Sequence, residues 1–127
     1  MAGFNHFGTI ADALHDGLRA AVNKAAFDIQ ALAQTQAPVD TGFLRSSIYT
    51  ITDAGSTYTG GVDALPPVAA SGDDLTATVA VGASYGLYVE MGTTRMPARP
   101  YFTPAVEAVR PGFDAALRAI VAAMGAK

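Results

Sequence analysis

Hydrophobic residues recur every three or four positions along the first third of the chain. The apolar members of this series are Ile10, Leu14, Leu18, Val22, Ala25, Ile29 and Leu32. Largely on the other side of a helix with this period lie the polar residues Asp12, Asp16, Arg19, Asn23, Lys24, Asp28 and Gln30. This period predicts an amphipathic helix with one buried stripe. Thr9, followed by Asp12 three residues later, resembles a capping box, and Pro38 disfavours a helical conformation at the residue before it. We therefore expect a single helix from about Thr9 to Gln36 or Ala37.

Two segments in the middle of the chain have the composition of strands. Leu44–Thr52 is rich in β-branched and aromatic residues, and Leu75–Gly82 alternates apolar and polar side chains. We expect an antiparallel pair with one face against the long helix and the other face partly exposed. Residues 53–74 between them include four glycines and two prolines. We expect a long loop here that is mobile in the isolated subunit and becomes ordered against a partner, the alternative being a tolerated surface insertion.

The last helix is predicted to begin at Thr103 and Pro104, which have the residue types of an N-cap and a first helical position. Pro111 and Gly112 interrupt its pattern, which indicates either a kink or two helices, about Thr103 to Arg110 and Pro111 to Met124. The predicted fold class is therefore α+β. A long N-terminal helix and a kinked C-terminal helix pack on a small antiparallel sheet with a long loop between its strands.

Composition points to one domain, residues 1–127, that gains stability from association. Half of the residues are hydrophobic, but many of these are alanine, so the core contains few large side chains. The chain has no cysteine and only two histidines, so disulfides are excluded and neither histidine has metal-ligand spacing. Oligomerisation remains as the usual means of stabilising such a domain, and a predicted helix of about 27 residues, roughly 40 Å long, would extend beyond the core of one subunit.

Charge and hydropathy argue against two classes of partner. A net charge of −3 offers no basic field for DNA phosphates. No apolar run reaches the roughly 18 residues that a membrane span needs, and the N-terminus lacks the features of a signal peptide. We expect a soluble protein that is not secreted.

Glu90 is the carboxylate around which a catalytic hypothesis can be built. Arg95 and Arg99 follow it closely, so Glu90 could serve as a general base beside an anion clamp. No second catalytic group lies nearby in the sequence. We therefore favour a structural interpretation, in which Glu90 pairs with an arginine or caps the turn at Gly92 and Thr93.

Aromatic residues are concentrated in the same segment, at Tyr85, Tyr88, Tyr101 and Phe102. They could stack on nucleic-acid bases, but the segment has no surrounding excess of lysine or arginine. We interpret them as anchors of the core or of a protein interface. The acidic residues do not have the spacing of a calcium loop, and Gly60 and Gly61 match no phosphate-binding loop. The sequence therefore predicts no catalytic residue, no metal site and no cofactor.

Two motifs resemble a known family. Residues 38–47 match P-x-D-T-G-x-L-x-x-S, and residues 85–93 match Y-x-x-Y-x-E-x-G-T, followed at residues 100–105 by P-[FY]-[FL]-x-P-A. In motif, order and spacing the chain resembles the gene-product-ten-like neck and tail-completion proteins of lambdoid long-tailed bacteriophages, over essentially its whole length. Tyr101 stands where that family commonly has phenylalanine.

The resemblance implies a non-enzymatic virion protein at the head-tail junction. It would be made in the host cytoplasm and form a homo-oligomeric ring, a hexamer or dodecamer, that contacts other neck and tail proteins. Genomic DNA would only pass through its channel, and no membrane would be involved. Alternatives are a tail terminator, a head-side adaptor, or a small enzyme or ligand-binding protein that uses Glu90 with Arg95 and Arg99. The residues to which we assign interface or structural roles are Asp40, Thr41, Gly42, Tyr85, Tyr88, Glu90, Gly92, Thr93, Arg95, Arg99, Pro100, Tyr101 and Phe102.

Overall fold

Four helices and a three-stranded sheet make up the part of the chain that the computed structural model describes, residues 2–38, 42–61, 64–70 and 72–125. The elements, in chain order, are α1 (Ala2–Gln36), α2 (Gly42–Ser46), β1 (Ile48–Thr52), β2 (Gly55–Ser56), β3 (Thr78–Val81), α3 (Gly86–Met91) and α4 (Thr103–Gly125). The predicted α+β class, with two long helices and a small antiparallel sheet, is confirmed.

The two long helices pack against each other in antiparallel orientation. Ala33 and Ala37, at the end of α1, share the buried core with Ala105 near the start of α4. At the other end, a Cβ atom on Gly17 would lie 3.4 Å from Cγ2 of Ile120. Small residues at these contacts let the two helices approach closely.

The first helix is longer than the sequence predicted. It begins at Ala2, so the capping box expected at Thr9 is wrong, and Thr9 lies inside a helix of 35 residues. Once a helix exists, each added residue contributes a hydrogen bond, and a threonine inside a helix lowers stability only modestly. The predicted end at Gln36 is confirmed.

Part of α1 extends beyond its partner helix. α4 ends five residues after Ile120, whereas α1 begins 15 residues before Gly17. At 1.5 Å per residue, roughly 10 residues, or about 15 Å, of α1 therefore extend past the end of α4.

The sheet has the strand order β2-β1-β3, and both pairings are antiparallel. Ile48 of β1 pairs with Val81 of β3, and Ile51 pairs with Thr78. The predicted antiparallel pair is confirmed. Every residue of β1 is buried, whereas the residues of β3 are half-buried and those of β2 are exposed, so the expected partial exposure applies to the outer strands and not to β1. α1 covers one face of β1 and residues from the segment after β2 cover the other.

Both predicted strands are shorter than expected, for local reasons. Residues 42–46 form the helix α2, which the backbone bond from the Ser47 amide to the Phe43 carbonyl closes. Before β3, the carboxylate of Asp73 accepts hydrogen bonds from the amide of Leu75 and the hydroxyl of Thr76. Such side-chain bonds hold the backbone in a turn, so β3 begins only at Thr78.

The segment between the main strands contains structure of its own. β2 pairs with the end of β1, and the amide of Leu65 donates to the carbonyl of Gly82. That this segment is mobile in the free subunit and becomes ordered on a partner stays a prediction.

The last helix is continuous. α4 runs from Thr103 to Gly125 with Pro111 inside it, so the alternative of two helices is wrong. The nitrogen of Pro111 cannot donate within the helix, and a kink at this position stays a prediction.

Candidate functional site

The carboxylate of Glu90 caps the N-terminus of a helix that lies 11 to 13 residues further along the chain. Its Oε1 atom accepts hydrogen bonds from the amides of Tyr101 (2.9 Å) and Phe102 (2.8 Å), and its Oε2 atom accepts one from the amide of Thr103 (3.0 Å). The first amides of a helix lack partners within the helix, and they lie at the positive end of its dipole. Glu90 therefore binds α3 to the start of α4.

The electrostatics of Glu90 follow from this geometry. Partial burial acts to raise the pKa of its carboxyl group, but hydrogen bonds from the Phe102 amide, from Thr103 and from the Tyr101 amide outweigh burial and lower the pKa. Glu90 is thus an ionised acceptor with both oxygens engaged. This is the opposite of the raised pKa that the general-base hypothesis requires near neutral pH.

The side chain of Tyr101 provides a second attachment between the same two elements. Its ring is 1% exposed, and its hydroxyl donates a hydrogen bond of 3.0 Å to the carbonyl of Gly86. Burial, with the nearby charge of Glu90, raises the pKa of Tyr101 to about 12. A Cβ atom on Gly86 would lie 2.9 Å from that hydroxyl and 2.6 Å from Cγ1 of Val81, so only glycine fits where α3 begins.

The turn after α3 is fixed by its own residues. Gly92 has a φ of 80°, a conformation that favours glycine, and a Cβ there would lie 2.7 Å from the amide nitrogen of Ala98. The hydroxyl of Thr93 accepts hydrogen bonds from the amides of Arg95 and Met96. The expectation that Glu90 caps this turn is therefore wrong, because Thr93 does so.

The arginines and Pro100 of this segment lie on the surface. Arg95, Arg99 and Pro100 are all exposed. The backbone amide of Arg99 donates a hydrogen bond of 2.8 Å to the carbonyl of Val89, which ties the turn back to α3. The three hydrogen bonds described for Glu90 go to amides, and pairing of Glu90 with an arginine stays a prediction.

Two of the predicted aromatic anchors lie partly in the core. Tyr85 packs against the core cluster, with its ring centroid 6.5 Å from that of Phe43. Phe102 packs against the same cluster, and its ring stands edge-on to Tyr101. Tyr85, Tyr101 and Phe102 thus lie in or against the core, as one of the two interpretations of these aromatic residues expected.

The outer face of α3 is apolar and exposed. Leu87, Tyr88 and Met91 have exposed fractions of 67%, 57% and 70%. Sequence reasoning selected Tyr88 and missed Leu87 and Met91. Their spacing of four residues within a short helical segment was the available signal, since residues i and i+4 share a helix face.

An open concavity of about 330 Å³ lies beside this face. Leu65, Leu87 and Phe102 contribute apolar walls, and Glu90 contributes to the lining. Because both oxygens of Glu90 bind backbone amides, this concavity presents no free carboxylate. In the part of the chain that the structure describes, no group of three or more acidic or histidine side chains is placed to hold a metal ion.

The first motif was expected to contribute Asp40, Thr41 and Gly42, and no membrane was expected to be involved. Asp40 and Thr41 lie outside the described residues, whereas Gly42 is the first residue of α2. None of the described helices combines the length and the apolar character that a bilayer crossing requires.

The fold and this site define a class of protein, a small α+β domain in which a short helix is fixed in place with its apolar face exposed. The model of the family described as "Bacteriophage HK97-gp10, putative tail-component" matches residues 5–92. The match covers about two thirds of the chain, and the chain belongs to this family of phage tail components. It includes the first motif and α3 but ends before the start of α4. Comparison with curated proteins and with solved structures gave no match.

Proposed function

We propose that this protein is a ring-forming subunit at the head-tail junction of the virion, where it completes the tail and helps to join it to the capsid. Its partners would be further copies of itself, in a hexamer or dodecamer, and the neighbouring neck and tail proteins. Genomic DNA would pass through the ring without being bound. Membership of a phage tail-component family supports the structural role.

The exposed face of α3 is the observation that carries the proposal. A helix of six residues is far too short to be stable alone in water. Here the Glu90 cap, the hydroxyl of Tyr101 and the amide of Arg99 hold it in place. An exposed apolar group that is held rigid loses little conformational entropy on docking, and such groups on a small protein mark interaction sites.

Two further features support repeated association. The end of α1 that extends past α4 offers helix surface that a neighbouring subunit can cover. The net charge of −3 suits a ring around DNA, since it offers no attraction to phosphates. A ring also requires that different surfaces of successive copies meet, because two identical patches in contact close as a dimer.

Tail termination and head-side adaptation are the alternatives within the virion. Both would use the same exposed face, so they differ in location and neighbours and not in the chemistry of this surface. An enzymatic role for Glu90 with Arg95 and Arg99 receives less support. Glu90 has a lowered pKa and caps α4, so its substitution would disturb structure before chemistry.

Imaging of labelled particles tests the location. A label on Lys127 in purified virions should appear at the junction between head and tail, in a ring of six or twelve positions. Label on the capsid side alone would favour the adaptor, and label at the upper end of tails that lack heads would favour the terminator. Absence of the protein from virions would contradict all three.

A further inference from the structure

Two ion pairs attach the ends of one long segment to the same face of α1. Nη2 of Arg19 lies 2.6 Å from Oδ2 of Asp53, and Nε2 of His15 lies 2.7 Å from Oδ2 of Asp74. His15 and Arg19 are four residues apart, so they lie one above the other on the helix. We call the described residues between Asp53 and Asp74, namely 53–61, 64–70 and 72–74, the strap, since α1 contacts both of its ends.

The strap covers one face of the central strand. The side chain of Thr50 points to α1, where its hydroxyl bonds the side chain of Gln30, so the neighbouring residues Tyr49 and Ile51 point the other way. On that side the amide of Val68 donates to the hydroxyl of Tyr49 (3.0 Å). The ring of Tyr58 stands edge-on to that of Tyr49, with centroids 5.1 Å apart. Tyr49 is consequently only 2% exposed.

The strap itself buries little. Residues 66–70 are all exposed, and Leu65 and Val68 each leave about half of their surface in water. Segments with few buried apolar contacts open at low free energy compared with a core strand. The hydrogen bonds of the strap to the sheet, such as that from the amide of Leu65 to the carbonyl of Gly82, and the ion pairs at its ends together keep this cover closed.

We propose that the strap is a removable cover for the Tyr49 and Ile51 face of β1, and that its Asp74 end opens separately because the ion pair with His15 holds that end, whereas the pairing of β2 with β1 also holds the Asp53 end. Opening the Asp74 end uncovers an apolar strand face while the Asp53 end stays attached. This inference concerns the isolated chain and does not depend on ring formation.

The two attachments respond differently to pH. The hydrogen bond and charge of Asp74, with a smaller contribution from Asp16, raise the pKa of His15 above 6.5, although partial desolvation and the charge of Arg19 act to lower it. A raised histidine pKa stabilises the closed state fully below about pH 6.5 and loses that effect as the pH rises through the raised value. The hydrogen bond to His15 lowers the pKa of Asp74, even though desolvation acts to raise it, so this carboxylate stays charged well into the acid range. The guanidinium of Arg19 keeps its charge throughout.

Hydrogen exchange on the free chain of 127 residues tests the proposal. Rates for residues 72–76 and 54–58, corrected for intrinsic exchange, are compared at pH 5.5 and pH 8. Residues 72–76 should exchange roughly two- to fivefold faster at pH 8, while residues 54–58 change little. His15→Gln should remove the difference by giving the fast rate at both pH values.

Further variants separate the ion pairs from general effects on α1. Asp74→Asn should reproduce the effect of His15→Gln, and the double variant should exchange no faster than either one. Arg19→Gln should change the exchange of residues 54–58 little at either pH value, because the pairing of β2 with β1 holds this end as well. Lys24→Gln serves as the matched control, because it removes an exposed ion pair of α1 with Asp28 that does not involve the strap. Equal rates in wild type and His15→Gln at pH 5.5, or an equal effect of Lys24→Gln, would overturn the proposal.

Discussion

Glu90, on α3, accepts a hydrogen bond of 2.8 Å from the backbone amide of Phe102, which immediately precedes α4. The contact lets a side chain from one helix perform the capping function that usually belongs to the residue before the helix itself. It also explains why a carboxylate, and not a neutral residue, occupies this position, since a charged acceptor with two oxygens can bind three amides at the positive end of a helix.

Replacing this carboxylate should weaken the attachment of α3 to α4. Glu90→Gln leaves one acceptor oxygen and no charge, so we expect a loss of about 0.5–2 kcal/mol in the free energy of unfolding. The protein should stay soluble, but assembly should weaken. Urea denaturation followed by circular dichroism measures the first effect, with Glu107→Gln on the exposed side of α4 as the control, which should change stability by less than about 0.5 kcal/mol.

The same cap predicts a dependence on acid. Because the pKa of Glu90 is lowered in the folded protein, its contribution to stability is present above about pH 4.5 and is lost as the pH falls through the folded value. The free energy of unfolding should therefore differ less between pH 6 and pH 3 in Glu90→Gln than in the wild type. An unchanged difference would show that this carboxylate is not the capping group.

Two glycines should respond in opposite directions to the same substitution. Gly86→Ala places a methyl group 2.6 Å from Val81, so we expect a loss of about 1–3 kcal/mol despite the better helix propensity of alanine. Gly112→Ala lies inside α4 with no neighbouring atom within 4 Å, and should gain about 0.5–1 kcal/mol. Thermal melts of the two variants check both, and destabilisation by Gly112→Ala would contradict the open position described for it.

Tyr101 should make the fold sensitive to alkali. Its pKa is raised to about 12, so the folded state holds this proton more tightly than the unfolded state, and stability should fall between about pH 10 and pH 12. Tyr101→Phe should lose about 0.5–1.5 kcal/mol at neutral pH with the hydrogen bond to Gly86, and should reduce that alkaline loss. Spectrophotometric titration of Tyr101→Phe should show one fewer tyrosine that ionises near pH 12 than in the wild type. If Tyr101→Phe has the same titration curve as the wild type, the tyrosine with the raised pKa is not Tyr101.

The face of α3 should matter for assembly and not for folding. Leu87→Ser combined with Met91→Ser changes two exposed side chains, so stability should change little while incorporation into tails falls at least tenfold. Val121→Ser, on an exposed position of α4, is the matched control and should leave incorporation intact. Counting the protein in purified particles by quantitative mass spectrometry gives the comparison.

The sequence allowed the fold class and the end of α1 to be predicted, because hydrophobic periodicity and proline act through local geometry. It failed at two places. Asp73 shortens β3 through a local turn, in which its carboxylate accepts hydrogen bonds from the amide of Leu75 and the hydroxyl of Thr76. Residues of the strap, which are distant in sequence, bury the face of β1 that was expected to be partly exposed.

The candidate site shows the same division. Glu90 and Tyr101 were selected because of their residue types, but their partners lie on another helix, and no periodicity along the chain reports such a contact. Leu87 and Met91 were missed because their spacing of four residues places them on one helix face but does not show whether that face is buried or exposed. Only their exposed fractions in the folded chain identify the surface.

Thiol labelling at the α3 face tests the central claim most directly. The chain has no cysteine, so Leu87→Cys introduces a unique thiol, and Val121→Cys provides a second variant with a similarly exposed site. Maleimide reactivity is measured for each in the free chain and in purified particles. If the face of α3 is buried in the tail, position 87 reacts in the free chain and is protected in particles. Equal reactivity at position 87 in both states would contradict the account.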